Sequence, residues 1–253
     1  RFLAEVSSLL GDVRRFILCL ASFLNAASLW IGFDMSTTPD AGCCDAACTT
    51  GRLRVAGIVL AAGEGRRLGC RAKGLIRVNG ETLLARNVRV LFEAGVDEVI
   101  VVTGHYSEQL ETVLSGLSVR RTCQPDVAHS QRDSLCLGLV ELPADCDAVL
   151  VMPVDMPSLT RDDVVALIAA YKHAAPEIAF IGPAVAGRPG NPVVFNRDVA
   201  NRIIQGEGDF GSGAWRAQAQ AWRLEWETDN PHYVVDIDTP EDLDRWQSAS
   251  QDP

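Results

Sequence analysis

Lysine is nearly missing from this chain: of 23 cationic residues only Lys73 and Lys172 are lysines. A basic excess is missing as well, since the net charge is −10 and the isoelectric point lies near 4.9. This excludes the basic face on which non-specific nucleic-acid binding depends. An anionic small molecule would therefore have to be captured by a local patch. Repeats and low-complexity segments are absent from the main body of the chain. Cys43, Cys44 and Cys48 lie close together, but no fourth ligand or histidine stands near them, which argues against a metal centre there. The other cysteines (19, 70, 123, 136 and 146) lack ligand spacing and read as reduced, mostly buried thiols of a cytoplasmic protein. The 253 residues, 47% apolar and 22% charged, suit one large globular domain or two small ones.

The local patch is present. Val55 to Leu60 is an uncharged, β-branched run that reads as a buried parallel strand. It breaks into Ala61-Ala62-Gly63-Glu64-Gly65, small residues that let backbone N–H groups approach a ligand. Arg66, Arg67, Arg71, Lys73 and Arg77 follow, so a phosphate cradle is expected rather than a plain solvated turn. Two familiar phosphate loops do not fit. The spacing around Lys73-Gly74 breaks the G-x-x-x-x-G-K-[ST] pattern. The G-x-G-x-x-G pattern fits Gly63 and Gly65 but meets Leu68 at its third position, and the next strand ends in Gly104-His105 without an acid for a ribose.

From Val55 onward, strands and helices alternate, the pattern of a doubly wound, mostly parallel α/β sheet of three layers. Strands are expected at Val55–Leu60, Glu98–Thr103, Val119–Cys123 and Ala148–Pro153. Helices are expected at Thr82–Ala94, Ser107–Leu114, Gln131–Leu142 and Arg161–Tyr171, the last capped by Ser158 or Thr160. Asn79-Gly80 marks a tight turn. The main domain is assigned to residues 53–248, with a tail at 249–253. Residues 35–52 are small and polar and read as a flexible leader. In residues 1–34, Arg14-Arg15 precede an uncharged run from Phe16 to Phe33, long enough to be a signal or anchor. Polar residues within that run and a restart-like Met35 favour a non-native extension instead.

A second chemical element is Asp155, just beyond the apolar run Ala148–Pro153. A carboxylate there sits at the carboxyl edge of the sheet, where α/β proteins bind ligands. A helix cap is the alternative, but Ser158 and Thr160 are better placed for it.

Leu60-Ala61-Ala62-Gly63-Glu64-Gly65-Arg66-Arg67-Leu68-Gly69 with Lys73 resembles the signature of nucleotidyltransferases that activate a phosphorylated acceptor with an NTP. Ala72 stands where many members have proline. Three further pieces extend the likeness: His129 to Leu135, Gly187 to Val193, and Asp236-Ile237-Asp238-Thr239-Pro240-Glu241-Asp242-Leu243. The pattern is most similar to the cytidylyl- and guanylyltransferases of the molybdenum cofactor, although Asn191 replaces their loop histidine. The resemblance implies a Rossmann-like fold and a Mg²⁺-dependent transfer of CMP or GMP to molybdopterin, with pyrophosphate released. It implies that Leu60, Ala61, Ala62, Gly63, Gly65 and Ser134 contact the nucleotide. Arg66 and Lys73 would act on its phosphates, and Asp155, Asp236 and Asp238 are the metal candidates, the last two expected to alternate on a strand. The A-A-G form of the loop suggests CTP as the preferred NTP. A molybdoenzyme or chaperone partner is expected, and no membrane or nucleic acid. Two rival readings are a sugar- or polyol-phosphate cytidylyltransferase and a non-catalytic, nucleotide-sensing chaperone or regulator.

Overall fold

The computed structural model describes residues 52–124, 130–207 and 219–249. The expected extension at 1–34, the leader up to residue 51, His129 and the last four residues lie outside them. The chain enters through β1 (Val55–Ala61), passes two short 3-10 turns, and makes a hairpin of β2 (Arg77–Val78) and β3 (Glu81–Thr82). That hairpin turns on Asn79 and Gly80, with φ of 51° and 84°, the left-handed conformations such a tight turn requires. There follow α1 (Leu83–Glu93), β4 (Glu98–Thr103), α2 (Ser107–Leu114), β5 (Arg120–Cys123), α3 (Gln131–Val140), β6 (Ala148–Pro153) and α4 (Arg161–His173). The last part holds β7 (Phe180–Val185), β8 (Arg188–Pro189), β9 (Val193–Asn196), α5 (Arg197–Gln205), β10 (Arg223–Glu227) and α6 (Pro240–Ala249).

Among the described residues the main sheet runs β10-β7-β9-β6-β1-β4-β5, with β8 paired to β7. β1 pairs in parallel with β4 and β6, and β9 runs antiparallel to both β6 and β7. Alternation along β1 sends Val55, Val59 and Ala61 to one face and Ala56 and Ile58 to the other. The first face is covered by Leu84, Val88 and Leu91 of α1, Leu110 and Leu114 of α2, and Val164 and Leu167 of α4. The second is covered by Leu135 and Leu139 of α3 and by Val199 and Ile203 of α5. The central strands β1, β4, β6 and β7 carry no charge in their middle because both faces are buried, whereas the edge strands β5 and β10 carry Arg121 and Glu225.

Helix starts follow side-chain chemistry. Thr82 caps α1, while Ser130 with Asp133 and Thr160 with Asp163 form capping boxes on α3 and α4. Four of the five scattered cysteines lie among the described residues, and only Cys146 of these is buried. Cys70 and Cys123 are exposed, which corrects the expectation of mostly buried thiols. Cys70 sits at φ 55° just past a loop turn, and Cys123 ends an edge strand with solvent beside it.

Close approach of α3 to the sheet depends on Gly138. A Cβ there would lie 2.8 Å from Ile58 Cγ2 and 3.0 Å from Val102 Cγ2. Gly138→Val is expected to cost about 2–3 kcal/mol through overpacking. That corresponds to a drop of roughly 5–10 °C in Tm, read by thermal melting; an unchanged Tm would mean that α3 is not seated this tightly.

Candidate active site where the strand order reverses

The chain lays β1, β4 and β5 side by side in one direction and then crosses back to place β6 on the other flank of β1. The parallel register brings Leu60 of β1 beside Pro153 of β6. Connections leave such a reversal point on opposite faces of the sheet, so a crevice opens beyond the strand ends. A pocket of about 420 Å³ occupies it, within the ~300–1,000 Å³ usual for small-molecule sites.

The loop after β1 is tightly built. Gly65 (φ 64°) and Gly69 (φ 74°) bracket a 3-10 turn, and the N–H groups of Leu68 and Cys70 both donate to the Gly65 carbonyl, at 2.9 and 3.0 Å. A Cβ on Gly65 would stand 2.4 Å from the Arg71 carbonyl oxygen, so only glycine fits. Tyr106 donates its hydroxyl proton to the Glu64 carbonyl at 3.0 Å. Leu68 is buried with Val78, Leu83 and Ile237 in a small separate cluster, which bolts the loop to the hairpin, to α1 and to the segment before α6.

Leu60, Ala61, Ala62, Gly63 and Gly65 line the pocket, as do Arg66, Lys73, Ser134, Asp155 and Asp238. Asp236 instead lines an adjoining hollow of about 360 Å³, which shares Lys73, Asp155 and Asp238 with the first. Asp236 and Asp238 do not lie on a strand, contrary to expectation; the segment is irregular because its one sheet-like anchor is Ile237 N–H donating to the Asp155 carbonyl at 3.0 Å. With Ile237 buried, the flanking carboxylates diverge, Asp238 toward Lys73 and Asp236 toward the second hollow. Asp236 is open to solvent at its tip, yet desolvation by the pocket walls, then the charges of Asp238 and Asp155, raise its carboxyl pKa.

Lys73 is the focus of the site. Its Nζ donates to Asp155 Oδ2 at 2.6 Å and to Asp238 Oδ1 at 2.5 Å, and Arg67 meets the other Asp238 oxygen at 2.7 Å. Burial opposes the Lys73 charge, but the two carboxylates outweigh it and hold the ammonium above its ordinary pKa. Among the described residues no three His, Cys, Asp or Glu side chains gather to cage a metal. The Asp155–Asp238 pair does converge on one cation through hard oxygens, the donor set that Mg²⁺ shares with substrate phosphates and water.

Three expectations change. The loop cations do not all converge: Arg66, Arg67 and Lys73 line the pocket, whereas Arg71 and Arg77 face a different hollow beside Cys70 and Tyr106. Arg66 is 82% exposed and paired with Glu64 at 2.5 Å, so it has yet to be turned inward. Ser134 does line the pocket, but its hydroxyl is engaged, donating to Gln124 Oε1 at 2.7 Å. Gln124 itself went unread in the sequence. It is 8% exposed, it lines the pocket, and its buried Nε2 has no partner among the described residues. Its place immediately after β5, at the same carboxyl edge as Asp155, was the available signal.

A glycine cradle and an edge carboxylate at a reversal point define a Rossmann-like α/β nucleotidyltransferase domain. Residues 57–223 match the model of the MobA-like NTP transferase domain, and the chain belongs to that family. It is 39% identical over 118 residues to a bifunctional IPC transferase and DIPP synthase of Rubrobacter xylanophilus, covering 45% of this chain and 27% of that one. It is 37% identical over 106 residues to a probable molybdenum cofactor guanylyltransferase of Opitutus terrae, covering 42% of this chain and 50% of that one. These matches thus span half or less of either relative's length. Among solved structures, a nucleotidyl transferase from Methanothermobacter thermautotrophicus superposes with a TM-score of 0.65 at 25% identity, covering 78% of this chain and 97% of that one. No helix among the described residues is long and apolar enough to cross a membrane.

A divalent cation bound at Asp155 and Asp238 would compete with Lys73 for the same two carboxylates. At an effective dielectric constant of 20, two unit charges 4 Å apart interact by ~4 kcal/mol, and partial solvent exposure reduces this. Lys73→Met keeps the stem and removes the charge, so it should bind Mn²⁺ about tenfold more tightly in the absence of nucleotide. Titration of the free Mn²⁺ electron-spin signal reads this directly, and an affinity no better than wild type rejects the competition.

Proposed function

We propose that the chain is a Mg²⁺-dependent transferase that moves CMP, in preference to GMP, from the triphosphate to a phosphorylated acceptor, molybdopterin. The supporting observation is the pair of adjoining hollows, about 420 and 360 Å³, that meet at Lys73, Asp155 and Asp238. The first has the glycine loop expected for a nucleotide's phosphates; the second, flanked by Arg188 and Asn191, offers an acceptor its own berth. The name of the Opitutus relative supports molybdenum cofactor as the acceptor class.

In this reading an acceptor phosphate oxygen attacks the α-phosphorus, the bond to the bridging oxygen breaks, and pyrophosphate leaves with the electron pair. A phosphate nucleophile is already anionic, so alignment and charge neutralisation matter more than a general base. The backbone N–H groups of Gly63 and Gly65, with Arg66 turned inward from Glu64, hold the β- and γ-phosphates. Asp155 and Asp238 would hold Mg²⁺, which when bound would supply charge neutralisation to the triphosphate. Lys73 leaves the carboxylates for the phosphates and stabilises the charge that builds there. Asp236, with its raised pKa, stays on the acceptor side.

Two features support CTP. Ala62 lines the pocket and abuts Gly104, where an added Cβ would stand 2.9 Å from the Ala62 Cβ, so the Ala62 methyl has no room to retreat from a purine. Gln124 has its amide oxygen occupied by Ser134, which leaves Nε2 as a donor. Cytosine offers two acceptors on its pairing edge, whereas guanine offers one acceptor and two donors.

Asp155→Asn should abolish Mg²⁺-dependent pyrophosphate release while leaving the fold intact, and wild-type release across a Mg²⁺ titration would reject the metal role. Lys73→Ala should slow turnover by roughly 10²–10³-fold; a loss below about threefold would make Lys73 a spectator. With molybdopterin as acceptor, kcat/KM should favour CTP over GTP by about 10–200-fold, and Ala62→Gly should erode that ratio. Equal efficiency with GTP in the unmutated protein would overturn the nucleotide preference alone.

A further inference from the structure

Asn87 is polar where the helix pattern calls for an apolar side chain. It lies on the face of α1 that carries Leu84, Val88 and Leu91 into the core, and it is 0% exposed. Burying an amide with incomplete hydrogen bonding costs ~1–3 kcal/mol, and Asn87 Oδ1 has no partner among the described residues. Its Nδ2 does have one: it donates to the Val154 carbonyl at 2.9 Å. A leucine at this position would remove the unpaired oxygen but leave the Val154 carbonyl without its donor, so what the amide contributes is that contact.

Val154 stands between the end of β6 and Asp155. Its N–H donates to the Leu60 carbonyl at 3.1 Å, and the Asp155 carbonyl accepts from Ile237 N–H at 3.0 Å. The three successive peptide groups from Pro153 to Met156 are therefore held once each. Among the described residues, Asn87 supplies the side-chain contact of the three. Val154 also abuts the phosphate loop: a Cβ on Gly74, the residue after Lys73, would lie 3.5 Å from Val154 Cγ2. One carbonyl thus sits at the junction of the two segments that bring Asp155 and Lys73 together.

We propose that Asn87 is a positioning residue which, by holding the Val154 carbonyl, fixes the peptide that aims the Asp155 carboxylate at a divalent cation. This rests on the reading of Asp155 as a cation ligand. Without Asn87 the Val154–Asp155 peptide is free to rotate, and the carboxylate loses its alignment with Asp238. Loss of such an outer partner of a metal ligand typically weakens metal binding about 10–100-fold.

The test combines signs that a purely structural residue would not produce. Asn87→Leu keeps the branch at Cγ and removes the unpaired amide oxygen, but it is larger and leaves the Val154 carbonyl without its donor, so it should fold with Tm shifted by only a few degrees. Mn²⁺ alone, titrated by electron-spin resonance, should bind at least about tenfold more weakly, while CTP binding measured in EDTA should not change. Asn87→Ala, which cannot overpack, should show the same loss of Mn²⁺ affinity. Mn²⁺ affinity within threefold of wild type in either folded variant overturns the inference. Mn²⁺ and metal-free CTP binding lost together with a lowered Tm also overturns it, because Asn87 would then be merely structural. Wild-type Mn²⁺ binding that ignores Asp155→Asn overturns the metal role of Asp155 and this inference with it.

Discussion

The site depends on one ammonium group held between two carboxylates. Asp155 and Asp238 carry like charges at the same point, and Lys73 lets them coexist there at 2.6 and 2.5 Å. The partners are 82 and 165 residues from Lys73 along the chain, so the triad exists only once the sheet has brought the loop, the end of β6 and the segment before α6 together. An ion cluster of this kind is poor evidence for stability, because desolvation offsets most of the attraction. In the proposed reaction its value is as a poised charge that a cation and a triphosphate would rearrange.

Around this triad, apolar contacts set position. The Leu68, Val78, Leu83 and Ile237 cluster lies apart from the two main cores and joins the loop to the chain end that delivers Asp238. The second hollow has a polar counterpart. Buried Asp163 accepts from Asn230 Nδ2 at 2.6 Å and lies 2.8 Å from His232 Nδ1, while Tyr233 donates its hydroxyl proton to the Asp163 carbonyl at 2.7 Å. Burial works against the Asp163 charge, but His232, Thr160 and Asn230 outweigh it and lower the pKa. The Tyr233 carbonyl in turn accepts from Asn191 N–H at 2.8 Å, and a Cβ on Gly190 would come within 2.4 Å of that oxygen. The Gly190–Asn191 loop and the turn before Asp236 therefore form one wall.

Much of this was legible along the chain. The uncharged runs that became β1, β4 and β6 can be buried on both faces only in a covered parallel sheet. Thr160 announced the helix it caps, and Asn79-Gly80 announced its turn. Gly63, Gly65, Lys73 and Asp155 stood out because close backbone approach, a rare lysine and a strand-end carboxylate each leave a local mark. Asn87 left only a faint one: it falls at apolar spacing in α1, but nothing along the chain shows that it is buried or what it holds.

Residue type and spacing by themselves determined the doubly wound class, the phosphate loop and the edge carboxylate, because these follow from backbone periodicity, glycine sterics and charge within a few residues. Tertiary structure alone decided that Arg71 and Arg77 turn away from Lys73, that Asp238 rather than Asp236 joins Asp155, and that Ser134 spends its hydroxyl on Gln124. Those outcomes turn on which way a side chain leaves an irregular segment. That direction is set by distant partners such as buried Ile237, through contacts that no local pattern encodes.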